Sequence, residues 1–194
     1  MPNNPQEATL GKGQVAGYIF TAPAGTALPT DSATPLDAAY KNNGYITEDG
    51  VTNSTDTDTT EVKDLNGNTV IKEVTSYAES YQFALLSVLN PDAAKTRYGA
   101  ANVTGTLDTG ITITHALPTD HFVTVIELAV TGGKKDRIVI PDASRSEFGD
   151  RKIAASDAQS YDVTLSANPW PGYATDDGIG TSREYIAVTA SSGQ

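Results

Sequence analysis

Apolar and polar residues alternate with period two along most of this chain, the spacing that places successive side chains on opposite faces of a strand. "VAGYIFTA" (15–22) reads as a first strand and is followed by the turn-rich connection "PAGTALPTDSATP". Within "TPLDAAYKNNG", Thr34 as cap, Pro35 at the first helical position and Asn43 or Gly44 as stop predict a short helix. "GYITEDG" predicts a brief strand ending in a turn. In 76–88 Tyr77, Tyr81, Phe83 and Leu85 share one face, with Ser76, Ser80 and Gln82 on the other. Further strands are predicted around 110–115, 122–130, 137–140, 161–165 and 184–188. In 122–130 the face of Phe122, Ile126, Leu128 and Val130 is interrupted by Thr124, whereas Tyr161, Val163 and Leu165 alternate cleanly. The clearest helix is "NPDAAKTRYG": Asn90 caps, Pro91 starts, Asp92 faces the positive end of the dipole, Lys95 and Arg97 the negative end, and Gly99 terminates. So short a helix needs a sheet to lie on, through Ala94 and Tyr98. The class is mainly β with one or two short helices.

One segment does not fit a core. In "TDTDTTEVKDLNGNTVIKEV" (55–74) acids and amides crowd between two weakly apolar arms. A calcium loop needs glycine at its sixth position and glutamate at its twelfth. Counted from Asp64, with Asn66 and Asn68, those positions hold Thr69 and Thr75; counted from Asp56, with Asp58, the fifth and sixth hold Thr60 and Glu61. Neither register suits the cation. A hairpin suits better, with Asn66-Gly67 as a two-residue turn at positive φ. Its apolar residues are few: Val62 and Leu65 on one arm, Val70, Ile71 and Val74 on the other. Such a hairpin is marginal alone, so another chain is expected to supply its second layer; a flexible surface loop is the plain alternative. Asp56, Asp58, Glu61, Val62, Asp64, Asn66, Gly67, Val70 and Ile71 are thus the candidate assembly residues.

Composition narrows the chemistry. The 194 residues, 38% hydrophobic and 19% charged, fit one sizeable domain or one domain with projecting arms. Cysteine is absent, which excludes disulfides and thiolate metal sites. No 18-residue apolar run exists, and "MPNNPQEATLGKGQ" has no signal-peptide pattern, so the expectation is a protein folded in a cytosol without a membrane span. A net charge of −11 opposes binding to nucleic-acid phosphates. Lys134, Lys135 and Arg137 in "TGGKKDR" are the one basic cluster and read as a solvated hairpin tip, with a phosphate contact as the alternative.

Catalytic signals are weak. The two histidines, His115 and His121, flank "ALPTD" without a third ligand at a metal spacing. No G-x-S-x-G, P-loop or G-x-G-x-x-G occurs. "NST" at Asn53 and "NVT" at Asn102 match glycosylation sequons in pattern alone. Trp170 in "NPWPGY" reads as a packed turn aromatic. The residues therefore imply no enzyme, no cofactor and no metal.

Five segments occur in an order that resembles a known family: "FTAPAGTALPTD" (20–31), "NNGYITEDGV" (42–51), the polar arm, "LLSVLNPDAAKTRYGAANV" (85–103) and "RIVIPDA" (137–143). The chain resembles the major tail protein, or tail tube protein, of long-tailed bacteriophages, particularly of actinobacterial hosts, over about residues 15–190. The resemblance implies two packed β-sheets, a sandwich or partial barrel, flanked by a short helix. It implies one domain over 1–194, with an N-terminal arm 1–14, a projecting hairpin arm 52–74 and a C-terminal tail 189–194. It further implies hexameric rings stacked into a tube around the tape measure protein, joined to tail terminator and baseplate or distal tail proteins. Such a tube, made in the host cytoplasm and carried in the virion, conducts genomic DNA into the host. DNA must then slide without sticking. Two unit charges ~10 Å apart in water interact by only about 0.4 kcal/mol before screening. The useful property is therefore the absence of repeated basic contacts rather than any one carboxylate. A β-sandwich module that binds a receptor or glycan on a virion or cell surface is the alternative reading.

Overall fold

The alternating segments form strands and the capped segment forms a helix. The structure, a computed structural model, describes residues 11–13, 17–130, 134–151, 153 and 155–188. In chain order the elements are β1 (Gly11–Gly13), β2 (Ile19–Pro23), β3 (Lys41–Asn42), β4 (Ile46–Lys63), β5 (Thr69–Leu85), helix α1 (Pro91–Tyr98), β6 (Val103–Thr106) and β7 (Gly110–Ile113). There follow β8 (Phe122–Val130), β9 (Lys134–Glu147), β10 (Tyr161–Ala167), β11 (Ala174–Thr175), β12 (Gly178–Ile179) and β13 (Arg183–Val188). Apart from β1, the predicted terminal arms lie outside the described residues.

Among the described residues, nine strands join in one sheet of order β3-β2-β8-β9-β10-β5-β4, with β1 added on β8 and β13 on β9. Two-stranded sheets β6-β7 and β11-β12 stand beside it. Ile19 of β2 and Leu85 of β5 are far apart in that order, yet both belong to one apolar cluster with Ile126, Ile140, Tyr161 and Leu165. Ile46 and Val51 of β4 pack on the same cluster. A twisted sheet whose two ends share a core is curled around it, as a partial barrel. The molecule is mainly β with a short flanking helix, the class its alternation predicts.

Helix α1 closes one side of that core. Asn90 accepts from Asp92 N at 2.9 Å, and Gly99, at φ 90°, donates its N–H to Lys95 O. Ala93 and Ala94 are fully buried, and Tyr98 meets Tyr161 edge-on at 5.5 Å. Arg97 does more than face the dipole: it is buried and donates to the carbonyls of Asp162 and Gly149.

On the opposite face of the sheet Ala22, Tyr40, Val123, Val125 and Val139 form a second cluster, with Leu28 and Leu36 packed against it. β8 is therefore covered on both faces, and Thr124, the polar interruption of its face, is buried with its neighbours. That burial explains why the alternation in 122–130 is imperfect: a strand with two dry faces need not alternate.

Three departures from the sequence reading follow, the first two of them tied to the second cluster. No helix forms at 34–43. Asp31 Oδ1 accepts from the N–H groups of Ala33 and Thr34, and Asp31 Oδ2 from the Thr34 hydroxyl at 2.6 Å, so Thr34 is spent on a turn. Local side-chain bonds of this kind compete with helix formation, and Tyr40 is drawn into the core with its hydroxyl on Ala27 O at 2.9 Å. Arg137 is not at a solvated tip. It is 1% exposed, opposite Glu127 across β8 and β9, because β9 starts at Lys134 and runs to Glu147. Nor does "GYITEDG" end in a turn: β4 continues, and between Ile46↔Leu85 and Val51↔Phe83 four residues bulge out, with Gly50 at φ 74°.

Strand β13 lies on β9 from Arg183↔Val139 to Val188↔Lys134. There partial burial and the nearby Glu184 carboxylate push Asp136 up to about 6. An acid with a raised folded-state pKa contributes stability in full below its ordinary value of 3.8 and loses it as pH rises through about 6. Asp136→Asn is expected to remove this loss, raising the melting temperature in neutral buffer but not in acid. Thermal melts across pH check this.

Candidate assembly arm

β4 and β5 form one long antiparallel hairpin. Its register runs from Val51↔Phe83 to Lys63↔Thr69, with irregularities after Asp58 and Val62. At the root Tyr81 and Phe83 are buried in the core. Strand β10 supports β5 only as far as Glu79, opposite Ala167. Beyond that point both faces of the hairpin are exposed, and Tyr77, predicted to share the Tyr81 face, stands clear of the body.

The structure places every candidate assembly residue on this arm. Asp56 and Asp58 lie opposite Ala78 and Ser76, and Asp58 Oδ2 accepts from the Ser76 hydroxyl at 2.9 Å. Val62 faces Ile71 on the same side of the hairpin as Asp56 and Asp58. Glu61 pairs with Lys72 at 2.9 Å on the other side, which also carries Val74 and Tyr77. Val70 is 65% exposed, and Leu65 at the tip is fully exposed.

The tip is not the two-residue turn that Asn66-Gly67 predicts. Asp64 N donates to Asn68 O and Gly67 N to Asp64 O, so Leu65, Asn66 and Gly67 form a three-residue loop. Only Gly67 has positive φ, at 85°. The Asp64 side chain decides this, because its Oδ1 accepts from both Asn66 N and Asn68 N at 2.8 Å and its Oδ2 from Asn68 Nδ2. Those bonds, that of the Asn68 side chain foremost, hold its carboxyl below the usual range. They also occupy the oxygens that a cation would need.

Glu79, which the sequence reading passed over, adds a side-chain tie between the arm root and the segment before β13. Its Oε1 accepts from Tyr81 Oη at 2.8 Å and Asn53 Nδ2 at 3.0 Å, and its Oε2 from the hydroxyls of Thr181 and Ser182. Burial opposes its ionisation, but these four bonds prevail and its pKa is lowered. The available signal was an acid between Tyr77 and Tyr81 on an otherwise aromatic face. Glu79→Ala is expected to cost about 2–3 kcal/mol, since hydrogen bonds to charged groups are the stronger ones. A lowered pKa contributes stability above the ordinary value of 4.5 and loses it as pH falls below. The wild type should therefore lose more stability on acidification than Glu79→Gln, as pH-dependent urea melts would show.

A cleft of about 660 Å³ lies among β2, α1 and the segment leading into β8. Its polar groups have partners: Asp92 pairs with Lys95 and Asp120 with Arg145, His121 Nδ1 lies 2.6 Å from Asp142 Oδ1 just outside the lining, and Lys41 Nζ donates to Ala38 O at 2.8 Å. Arg145 also donates to the Lys95 and Thr96 carbonyls at the end of α1. His115 packs on Tyr98, with ring centroids 4.9 Å apart and planes tilted by 37°. Among the described residues no group of three His, Cys, Asp or Glu side chains could hold a metal ion. No described helix is long and apolar enough to cross a membrane.

No curated protein matches the chain. Among solved structures it is similar to the cryo-EM structure of the anti-feeding prophage cap, a tube-terminating cap, at 13% identity and a TM-score of 0.43 over 91% of this chain and 92% of that one. A likeness at that level says nothing of function. The family model described as phage tail tube protein matches residues 1–174. With that match spanning most of its length, the chain belongs to the phage tail tube protein family and is a structural component of a phage tail.

Proposed function

We propose that the protein forms hexameric rings that stack into a tail tube around a tape measure protein, and that this tube carries DNA into the host cell. The observation that carries the reading is the arm. A hairpin with Val62, Ile71, Val74 and Tyr77 divided between two uncovered faces lacks the second layer that stabilises such strands in water. A neighbouring copy supplies it. β4 also ends the sheet, so its outer edge is open among the described residues, as is that of β5 beyond Glu79. Open edges pair with other chains, and a head-to-tail contact repeated about an axis closes into a ring. The net charge of −11 suits a conduit for DNA that must not hold its cargo. Tail terminator and distal tail proteins would cap such a tube at its ends. The test is electron microscopy of the purified protein over a range of concentrations, in low and high salt. Hollow tubes or stacked six-membered rings of constant diameter are expected. A protein still monomeric when concentrated in the presence of its tape measure protein overturns the reading.

A further inference from the structure

We infer that Asn66 is a self-modification site of the free subunit, where the Gly67 backbone nitrogen attacks the side-chain amide, and that assembly closes the site. The covering by assembly rests on the proposed function; the chemistry at the tip does not. The Gly67 nitrogen gives up its proton and bonds to Asn66 Cγ, the Cγ–Nδ2 bond breaks, and Nδ2 leaves with that proton as ammonia, giving a five-membered succinimide. Water then opens either carbonyl, leaving aspartate or, with one methylene more in the main chain, isoaspartate. No oxidant or other co-reactant is needed.

The chain holds two Asn-Gly pairs, and the structure separates them. Asn43 is fully buried: its Nδ2 donates to Thr96 Oγ1 at 2.9 Å, and its Oδ1 accepts from Thr21 Oγ1 at 3.2 Å. Gly44 N donates to Asn42 Oδ1 at 2.8 Å, so the nitrogen and both ends of the Asn43 amide are held by other partners. Ring closure there requires local unfolding. Asn66 and Gly67 are exposed, and the space where a Gly67 side chain would stand is empty to 4 Å. One backbone bond, Gly67 N to Asp64 O at 3.0 Å, must open, and water replaces it at a net cost of about 0.5–1.5 kcal/mol. The product places a second carboxylate beside Asp64, and the isoaspartyl form displaces the N–H groups that Asp64 Oδ1 accepts. A subunit that waits unassembled thus acquires an altered tip.

The test is peptide mapping by mass spectrometry of the purified full-length protein, incubated in mildly alkaline buffer as free subunit and as assembled tube. In the free subunit Asn66 is expected to convert at least about tenfold faster than Asn43, a difference of ~1.4 kcal/mol in barrier. Isoaspartate should be among the products, and conversion in the tube should be slower by a similar factor. Equal rates at the two asparagines in the free subunit would overturn the site. Fast conversion at Asn66 in both free subunit and tube would overturn its closure by assembly while leaving the chemistry intact. As a control, Asn66→Gln should abolish the mass change at this position on the same timescale.

Discussion

Glu127→Ala is expected to lower the unfolding free energy by about 3–5 kcal/mol, the usual loss when one partner of a buried ion pair is removed. Arg137 is among the largest fully buried side chains. Glu127 Oε1 accepts from Arg137 Nε at 2.8 Å and from its Nη2, and Arg137 Nη1 donates to Asp31 O at 2.6 Å. Lys135 lies further off, with its Nζ 3.7 Å from Glu127 Oε2. Removing the carboxylate leaves a guanidinium in an apolar layer beside Val125 and Val139, where its desolvation is no longer compensated. Domains of this kind retain only about 5–15 kcal/mol, so the variant should melt close to its working temperature. The double variant Glu127→Leu with Arg137→Met should recover much of the loss, because well-packed apolar residues can replace a buried pair at little cost. Its residual deficit of about 1–3 kcal/mol is the Asp31 carbonyl left without a donor. Urea denaturation of the three proteins at constant m-value measures this. A double variant no better than the single would show that the pair stabilises the fold by its shape rather than its charge.

Replacing Thr57–Tyr77 by an Asn-Gly turn is expected to leave the body folded and to abolish tube formation. The cut falls beyond Glu79, so the four hydrogen bonds that fix the arm root remain. The removed residues have both faces exposed and make little contact with either apolar cluster. Stability should therefore change by less than about 1 kcal/mol, as for surface substitutions in general. Under the proposed function, assembly should fail even at concentrations about tenfold above those at which the wild type polymerises, since losing ~1.4 kcal/mol per contact already weakens it that far. Sedimentation velocity and electron microscopy of both proteins decide it. Tubes forming at the wild-type concentration would remove the arm from the assembly mechanism.

Local information determined a good part of this protein. The Asn90-Pro91 start and Gly99 stop of α1 are legible because capping depends on residues within one turn of each other. Strand 122–130 is legible residue for residue, and the alternation of 161–165 marks the core of β10, because side-chain period needs no knowledge of what covers each face. The low apolar content of 55–74 likewise marks a hairpin that the body does not bury. Tertiary structure decided the rest. Thr34 and Pro35 carry a helix-start pattern, but Asp31 and the pull of Tyr40 into the second cluster turned the segment into a covering loop. Arg137 stands next to a Gly-Gly tip in sequence, yet pairing with Glu127, ten residues earlier, carried it inside. Glu79 is one polar residue in a strand until Thr181 and Ser182, a hundred residues later, bring it their hydroxyls. Apart from the local Asp31–Thr34 turn, those outcomes depend on contacts between separate segments, whose geometry exists only once the sheet has curled and placed them side by side.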